Sequence, residues 1–119
     1  MRLNRVTVTM PDLDAGWNFY CTLGLKPVVD ARPHYARTAI ARFHCIKARA
    51  TVVGQRCIFE CDNLDETVSQ LEKKGLHFTS PLEDKSWLWR EAELFDPGGN
   101  RVLLYFAGQN RINPPWRVK

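Results

Sequence analysis

Several side chains that could bind or transform a small molecule recur at alternate positions along predicted strands. They are arginines, glutamates, aromatic residues and one histidine, namely Arg5, Arg42, His44, Arg56, Glu60, Trp87, Trp89, Glu91, Glu93 and Tyr105. Because alternate residues of a strand share a face, we expect this set to line one side of a sheet. Arginines fork onto carboxylates and phosphates, and aromatic rings supply apolar walls. The set therefore predicts a site for a planar ligand that carries an anionic group.

A second interpretation of the same charges is purely structural. Pairs of opposite charge on neighbouring strands stabilise sheets, so the three arginines would then neutralise the three glutamates and close the surface. Both interpretations stay open, because an arginine held by one carboxylate still offers further donors to a ligand.

His44 is the candidate catalytic residue. It alternates with Thr38 and Arg42 on one predicted strand, and we expect it to lie near Glu91 or Glu93. A histidine beside a carboxylate can act as a general base near neutral pH, whereas a hydrogen-bonded structural role is the simpler interpretation. The sequence therefore leaves open whether the protein is an enzyme.

The composition limits the class of protein. A chain of 119 residues with 45% hydrophobic and 25% charged residues fits one globular domain. The net charge of +4 is spread along the chain without a basic run, so no nucleic-acid partner is expected. Because an apolar stretch of about eighteen residues and a signal peptide are both absent, we predict a cytoplasmic protein without membrane association. The four cysteines form no CxxC pair, so we expect reduced thiols.

The chain contains an internal repeat that must position these residues. Residues 5–14 correspond to residues 56–65 at an offset of 51, which also aligns Gly24 with Gly75. Each copy predicts a strand, a helix, a glycine and further strands, with Asp12 capping the first helix and Asp62 or Asn63 the second. The later strands are predicted at Lys26–Val29, Thr38–Ile46, Ala50–Val53, His77–Ser80, Trp87–Phe95 and Asn100–Phe106.

Three segments of this repeat resemble a known family. Val8 to Leu25, with its Pro11-Asp12-Leu13-Asp14 turn, is similar to the first module of the vicinal oxygen chelate superfamily. Phe59 to Asp65 is similar to the start of the second module, and Phe95 to Val102 to its C-terminal turn and last strand. The resemblance implies an α+β fold in which two βαβββ modules form a cupped mixed sheet with helices on the convex face. Residues 1–107 would form this glyoxalase/bleomycin-resistance-like domain, with modules at about 1–54 and 55–107, and residues 108–119 an extended C-terminal arm that packs on a neighbour through Trp116.

The resemblance also carries expectations about function. Members include glyoxalase I, extradiol dioxygenases, fosfomycin-resistance enzymes and metal-free drug-sequestering proteins, which bind their ligands in the concave side and often form homodimers. Their metal ligands, His or Glu, lie on the first and last strands of each module. The corresponding positions here, Arg5, Val52, Arg56 and Leu103, cannot ligate a metal, so we expect no metal and no cofactor.

Three functions follow in order of preference. The first is metal-independent binding of a small molecule, in a homodimer. The second is a glyoxalase- or dioxygenase-like lyase or isomerase with a non-standard site, and the third is a structural or interaction subunit.

Overall fold

The computed structural model describes residues 6–39, 44–48 and 55–118 of the chain. Within these ranges it has the α+β element order that the repeat predicts, with two copies of strand, helix and three further strands. The elements are β1 (Val6–Met10), α1 (Leu13–Leu23), β2 (Lys26–Ala31), β3 (Tyr35–Ala39), β4 (His44–Ala48), β5 (Arg56–Glu60), α2 (Leu64–Lys73), β6 (Phe78–Asp84), β7 (Arg90–Phe95), β8 (Arg101–Phe106) and a 3-10 helix (Gly108–Arg111).

Local chemistry sets the ends of the helices. The carboxylate of Asp12 accepts a hydrogen bond from the Ala15 amide at 3.1 Å, as the sequence predicts for a helix N-cap. α1 ends at Gly24, whose φ of 117° is in the left-handed region that favours glycine. Asn63 precedes α2, but its side chain makes no capping hydrogen bond. Asn63 therefore occupies the predicted cap position of α2, but its side chain does not cap the helix.

Contacts divide the chain into two compact units, and the first contains β1 to β4 and α1. Its sheet has the order β1-β4-β3-β2, with β1 and β4 parallel and the other two pairs antiparallel. α1 packs closely on this sheet. A Cβ atom added at Gly16 would lie only 2.7 Å from the Cγ of Met10 on β1. Met10 is fully buried there.

The backbone register of this sheet corrects one predicted side-chain direction. Val8 pairs with Ile46, which pairs with Ala36, so Val8 and Ala36 share the face that α1 covers. Thr38 lies two residues along β3 from Ala36 and is also fully buried. Thr38 therefore points towards α1, and its predicted place on the ligand face is wrong.

The strands between the helix and the end of the first module also differ from prediction. The predicted single strand Thr38–Ile46 is two strands, β3 and β4, and β4 is the partner of β1. The starts of the helices, Leu13 and Leu64, are 51 residues apart, whereas the starts of β4 and β8, His44 and Arg101, are 57 apart. A constant offset therefore fails after the helices, because the β6–β7 hairpin is longer than its counterpart.

The second unit contains α2, β5, β6 and most of β7 and β8, in the sheet order β5-β8-β7-β6. Its core consists of apolar residues on α2 and on one face of the strands, namely Cys57, Leu64, Val68, Leu71, Ala92, Leu94, Val102 and Leu104. Arg90 of β7 donates to both carboxylate oxygens of Asp65 on α2, at 2.8 and 3.2 Å. This pair identifies the face of β7 that α2 covers.

The turn between β7 and β8 belongs to the first unit by its contacts. The Tyr20 hydroxyl of α1 donates to Asp96 Oδ2 at 2.6 Å, and the amides of Gly98 and Asn100 donate to Asp96 Oδ1 at 2.9 Å. Asn100 Nδ2 donates to the carbonyl oxygen of Thr9 on β1 at 2.9 Å. These buried hydrogen bonds fix the turn against α1 and β1.

The C-terminal arm differs from the extended segment that the sequence predicts. Gly108–Arg111 forms a turn of 3-10 helix, and the Arg117 amide donates to the Pro114 carbonyl at 3.0 Å in a second turn. Trp116 is exposed in the single chain. The predicted packing of Trp116 on a neighbouring molecule stays a prediction.

Candidate functional site

Two of the predicted aromatic residues form a stacked pair in the second unit. The rings of Trp89 and Tyr105 lie 4.2 Å apart between centroids and are nearly parallel, at 18°. Tyr105 is buried and Trp89 half-buried, so the Trp89 ring offers the accessible surface. The structure therefore brings together these two predicted walls of the site.

Trp87 lies elsewhere, and its predicted place on a strand is wrong. β7 begins at Arg90, and residues 85–89 form a hairpin loop in which the Lys85 amide donates to the Trp89 carbonyl at 2.7 Å. Leu88 in this loop has a φ of 65°, which no strand residue adopts. The indole of Trp87 is 44% exposed, 5.9 Å from the Lys85 Nζ.

Glu91 and Glu93 lie on the face of β7 that is opposite α2. Ala92 and Leu94 alternate with them and are buried on the face of Arg90. The Cα partner of Glu91 on β6 is Glu83, so two carboxylates face each other across these strands. Glu91 is only 7% exposed, which is unusual for a carboxylate.

Glu60 links the aromatic pair to the C-terminal 3-10 helix. The Tyr105 hydroxyl donates to Glu60 Oε2 at 3.2 Å, and the Arg111 Nε lies 2.7 Å from the same oxygen. Burial and then the Glu60 carboxylate raise the pKa of Tyr105, while the Arg111 guanidinium acts in the opposite direction. The structural interpretation of the charges predicted a cross-strand arginine for Glu60, but its partner comes from the arm. Nothing in the sequence pattern marked Arg111, because the arm has no periodicity.

Arg56 and Ile58 precede Glu60 on the same face of β5. Cys57 is buried and alternates with these exposed residues, as the sequence predicts. Arg56 and Glu60 are four residues apart, which is about 13 Å along a strand. Among the residues that the structure describes, no ion-pair partner of Arg56 is found. Ile58 is 49% exposed between the two charged residues.

Some predicted site residues lie outside the described residues. These are Arg5, Arg42 and Val52, together with the side chain of His44. The backbone of His44 is the Cα partner of Val6 on β1 and of Thr38 on β3. The catalytic role considered for His44 stays a prediction.

The structure describes two of the four residues that the resemblance predicts at metal-ligand positions, Arg56 and Leu103. Arg56 is an exposed guanidinium with no free lone pair, and Leu103 is an apolar side chain buried on β8. Val52 and the predicted strand Ala50–Val53 lie outside the described residues, so the equivalence of Val52 with Leu103 stays a prediction. No cluster of three His, Cys, Asp or Glu side chains suited to a metal occurs among the described residues.

The cysteines described by the structure are free thiols. Cys57 is buried, and Cys21 and Cys61 are half-buried. Burial raises the pKa of the Cys61 thiol, and Asp62 and Glu60 raise it further. Because a thiolate is the reactive form, Cys61 is a poor nucleophile.

Solved structures of other proteins share this fold over nearly the whole chain. Lactoylglutathione lyase from Agrobacterium tumefaciens matches with a TM-score of 0.80 and 17% identity, over 94% of this chain and 96% of that chain. A glyoxalase/bleomycin resistance protein/dioxygenase from Nocardioides matches with a TM-score of 0.81 and 17% identity, over 100% and 90%. TnmS3, an antibiotic binding protein from Streptomyces sp. CB03234, matches with a TM-score of 0.74 and 18% identity, over 90% and 96%.

The chain thus has the glyoxalase-like fold of the vicinal oxygen chelate superfamily, and the predicted resemblance is confirmed at the level of the fold. No protein-family model and no curated protein matches the sequence. Within the described residues, neither helix has the length and apolar character that a membrane span requires.

Proposed function

We propose that this protein binds a planar small molecule without a metal ion. The stacked Trp89–Tyr105 pair carries the proposal, because it presents a flat aromatic surface on the face of the second sheet that α2 leaves open. Rings stack on such surfaces with a gain of about 0.5–1.5 kcal/mol beyond burial of their area. A fold shared with an antibiotic binding protein is consistent with this role.

The second part of the proposal is that the ligand carries an anionic group, and Arg56 is the residue that would bind it. Its guanidinium is exposed on the same face, and the apolar side chain of Ile58 lies between it and Glu60. A ligand of about 13 Å would extend from the Trp89 ring past Ile58 to Arg56. Guanidinium groups bind carboxylates and phosphates through two parallel hydrogen bonds.

Binding without a metal is supported by the side chains at the superfamily's ligand positions. The side chains that the resemblance assigns to these positions, Arg5, Val52, Arg56 and Leu103, offer no lone pair to a divalent ion. Metal analysis of the purified protein, with a thermal-shift titration of Zn, Mn, Ni and Fe, tests this part. We expect no stoichiometric metal and no stabilisation. One metal per chain that raises the melting temperature would contradict metal independence.

Dansyl-6-aminohexanoate is a suitable probe, because it joins a fluorescent ring to a carboxylate by a flexible chain of matching length. We expect W89A to weaken its binding by up to about tenfold and R56Q by up to about fivefold. W87A and R117Q are the matched controls, since the Trp87 ring lies beside Lys85 rather than on Tyr105 and Arg117 lies in the C-terminal arm. Equal losses in W87A and W89A would refute the proposed surface.

A further inference from the structure

An ion pair lies at one edge of the stacked rings of Trp89 and Tyr105. The Tyr105 hydroxyl donates to Glu60 Oε2 at 3.2 Å, and the Arg111 Nε lies 2.7 Å from the same oxygen. Tyr105 is only 8% exposed although it lies on the open face of the sheet, because the Trp89 ring stacks on it. A ligand ring on the outer face of Trp89 therefore has Glu60 and Arg111 at the edge to which the Tyr105 hydroxyl points.

Both members of this pair keep polar groups that a ligand can reach. The two contacts of Glu60 are made by Oε2, and its side chain is 37% exposed, so Oε1 remains an acceptor within the part of the chain that the structure describes. The Arg111 side chain is 46% exposed and contacts Glu60 through Nε. A guanidinium has further N–H donors on its two Nη atoms. The pair thus offers an acceptor and donors side by side.

The opposite charges of this pair favour a neutral group over an ion. A cation beside Glu60 would be repelled by Arg111, and an anion beside Arg111 would be repelled by Glu60. A group with adjacent N–H and C=O avoids both repulsions, because its N–H donates to the carboxylate and its carbonyl accepts from the guanidinium. Hydrogen bonds to charged partners are also stronger than those between neutral groups.

We propose that the ligand ring is a nitrogen heterocycle with a lactam edge, whose N–H donates to Glu60 and whose carbonyl accepts from Arg111. The inference rests on the proposed function, because the ring must stack on Trp89. It narrows the ligand class from any planar ring to an uncharged cyclic amide that carries an anionic group for Arg56. It also makes the C-terminal 3-10 helix part of the binding site, because Arg111 is its last residue.

Three bicyclic probes of similar size test the two hydrogen bonds separately. Carbostyril has the lactam N–H and carbonyl, N-methylcarbostyril keeps only the carbonyl, and methylnaphthalene has neither. Each is measured by fluorescence titration with the full chain. We expect carbostyril to bind about tenfold more tightly than N-methylcarbostyril, because only carbostyril can donate to the Glu60 carboxylate.

Variants assign each hydrogen bond to its residue. E60Q should weaken carbostyril about fivefold and leave N-methylcarbostyril within about twofold of wild type, because only the N–H uses the carboxylate charge. R111Q should weaken both lactams about fivefold and leave methylnaphthalene unchanged, since both lactams have the carbonyl. E72Q on α2 and R117Q in the C-terminal arm are the matched controls at exposed residues and should leave all three affinities unchanged.

The probes also separate this inference from the proposed function. The inference is overturned if carbostyril and its N-methyl derivative bind wild type equally tightly, or if E60Q and R111Q weaken all three probes alike, because the pair would then only hold the arm in place. Binding of methylnaphthalene that W89A weakens would keep the proposed function in either case. If neither these probes nor the dansyl probe binds, both proposals fall.

Discussion

The buried Tyr20–Asp96 hydrogen bond should make a large contribution to stability. The Tyr20 hydroxyl donates to Asp96 Oδ2 at 2.6 Å, and the two residues are 0% and 4% exposed. Y20F removes the hydroxyl and keeps the ring, so the packing of α1 is unchanged. The carboxylate then loses one of its donors in a place that water does not reach.

The size of the effect follows from the donors that remain. Hydrogen bonds to charged groups contribute about 1.5–3 kcal/mol, and Asp96 keeps the amides of Gly98 and Asn100 and the Asn100 side chain. We therefore expect a loss near the lower end of this range, about 2 kcal/mol in the free energy of unfolding. For a chain of this size that lowers the melting temperature by roughly 6–12 °C.

Urea denaturation followed by circular dichroism measures this change. Y105F is the matched control, because it removes a hydroxyl whose acceptor, Glu60, has a side chain that is 37% exposed and lies at 3.2 Å. We expect a cost below about 1 kcal/mol for this variant. If Y20F stays within about 0.5 kcal/mol of wild type, or if both variants cost the same, burial of the acceptor does not set the strength of the bond.

Three further predictions concern the turn and the aromatic site. G98A should destabilise the protein by about 1–3 kcal/mol, because its Cβ would come within 2.8 Å of the buried Met10 Sδ; thermal denaturation measures this, and an unchanged melting temperature would show that Met10 moves freely. The pKa of Tyr105 is raised, so the folded state favours its neutral form. Its contribution to the free energy of unfolding is therefore present below about pH 10 and is lost as pH rises through the folded pKa. In Y105F, the free energy of unfolding should depend less on pH in the alkaline range. R111A should raise the pKa of Tyr105 further, since this guanidinium lowers it, and a downward shift in the absorbance titration of the phenol would contradict the assignment.

Local signals in the sequence were sufficient for the helices and the fold class. Asp12 and Gly24 act through neighbours in the chain, so their types alone predict the start and end of α1. The alternation of Arg56, Cys57 and Ile58 likewise predicted which face of β5 each residue occupies. Caps and strand alternation both depend on residues only a few positions apart, so a single sequence is enough to predict them.

Features that depend on loop length or on distant pairing were not predictable in the same way. Trp87 continues the alternation of Trp89 and Glu91, but the positive φ of Leu88 turns the chain into a hairpin loop there. The partner of Glu60 comes from Arg111, 51 residues later, in a segment without periodicity. Thr38 lies on the face of β3 that α1 covers, and alternation alone does not predict this, because it divides a strand into two faces without showing which face a helix covers.

The turn between β7 and β8 also determines when the first unit can be completed during synthesis. Asp96, the acceptor of the Tyr20 hydroxyl, follows Tyr20 by 76 residues. Asn100, which donates to the Thr9 carbonyl, follows Thr9 by 91 residues. Contacts of such sequence separation slow folding, because the intervening chain must be ordered first. Residues 96–100 must therefore be synthesised before α1 and β1 acquire these hydrogen bonds, and a fragment that ends at residue 55 lacks them permanently.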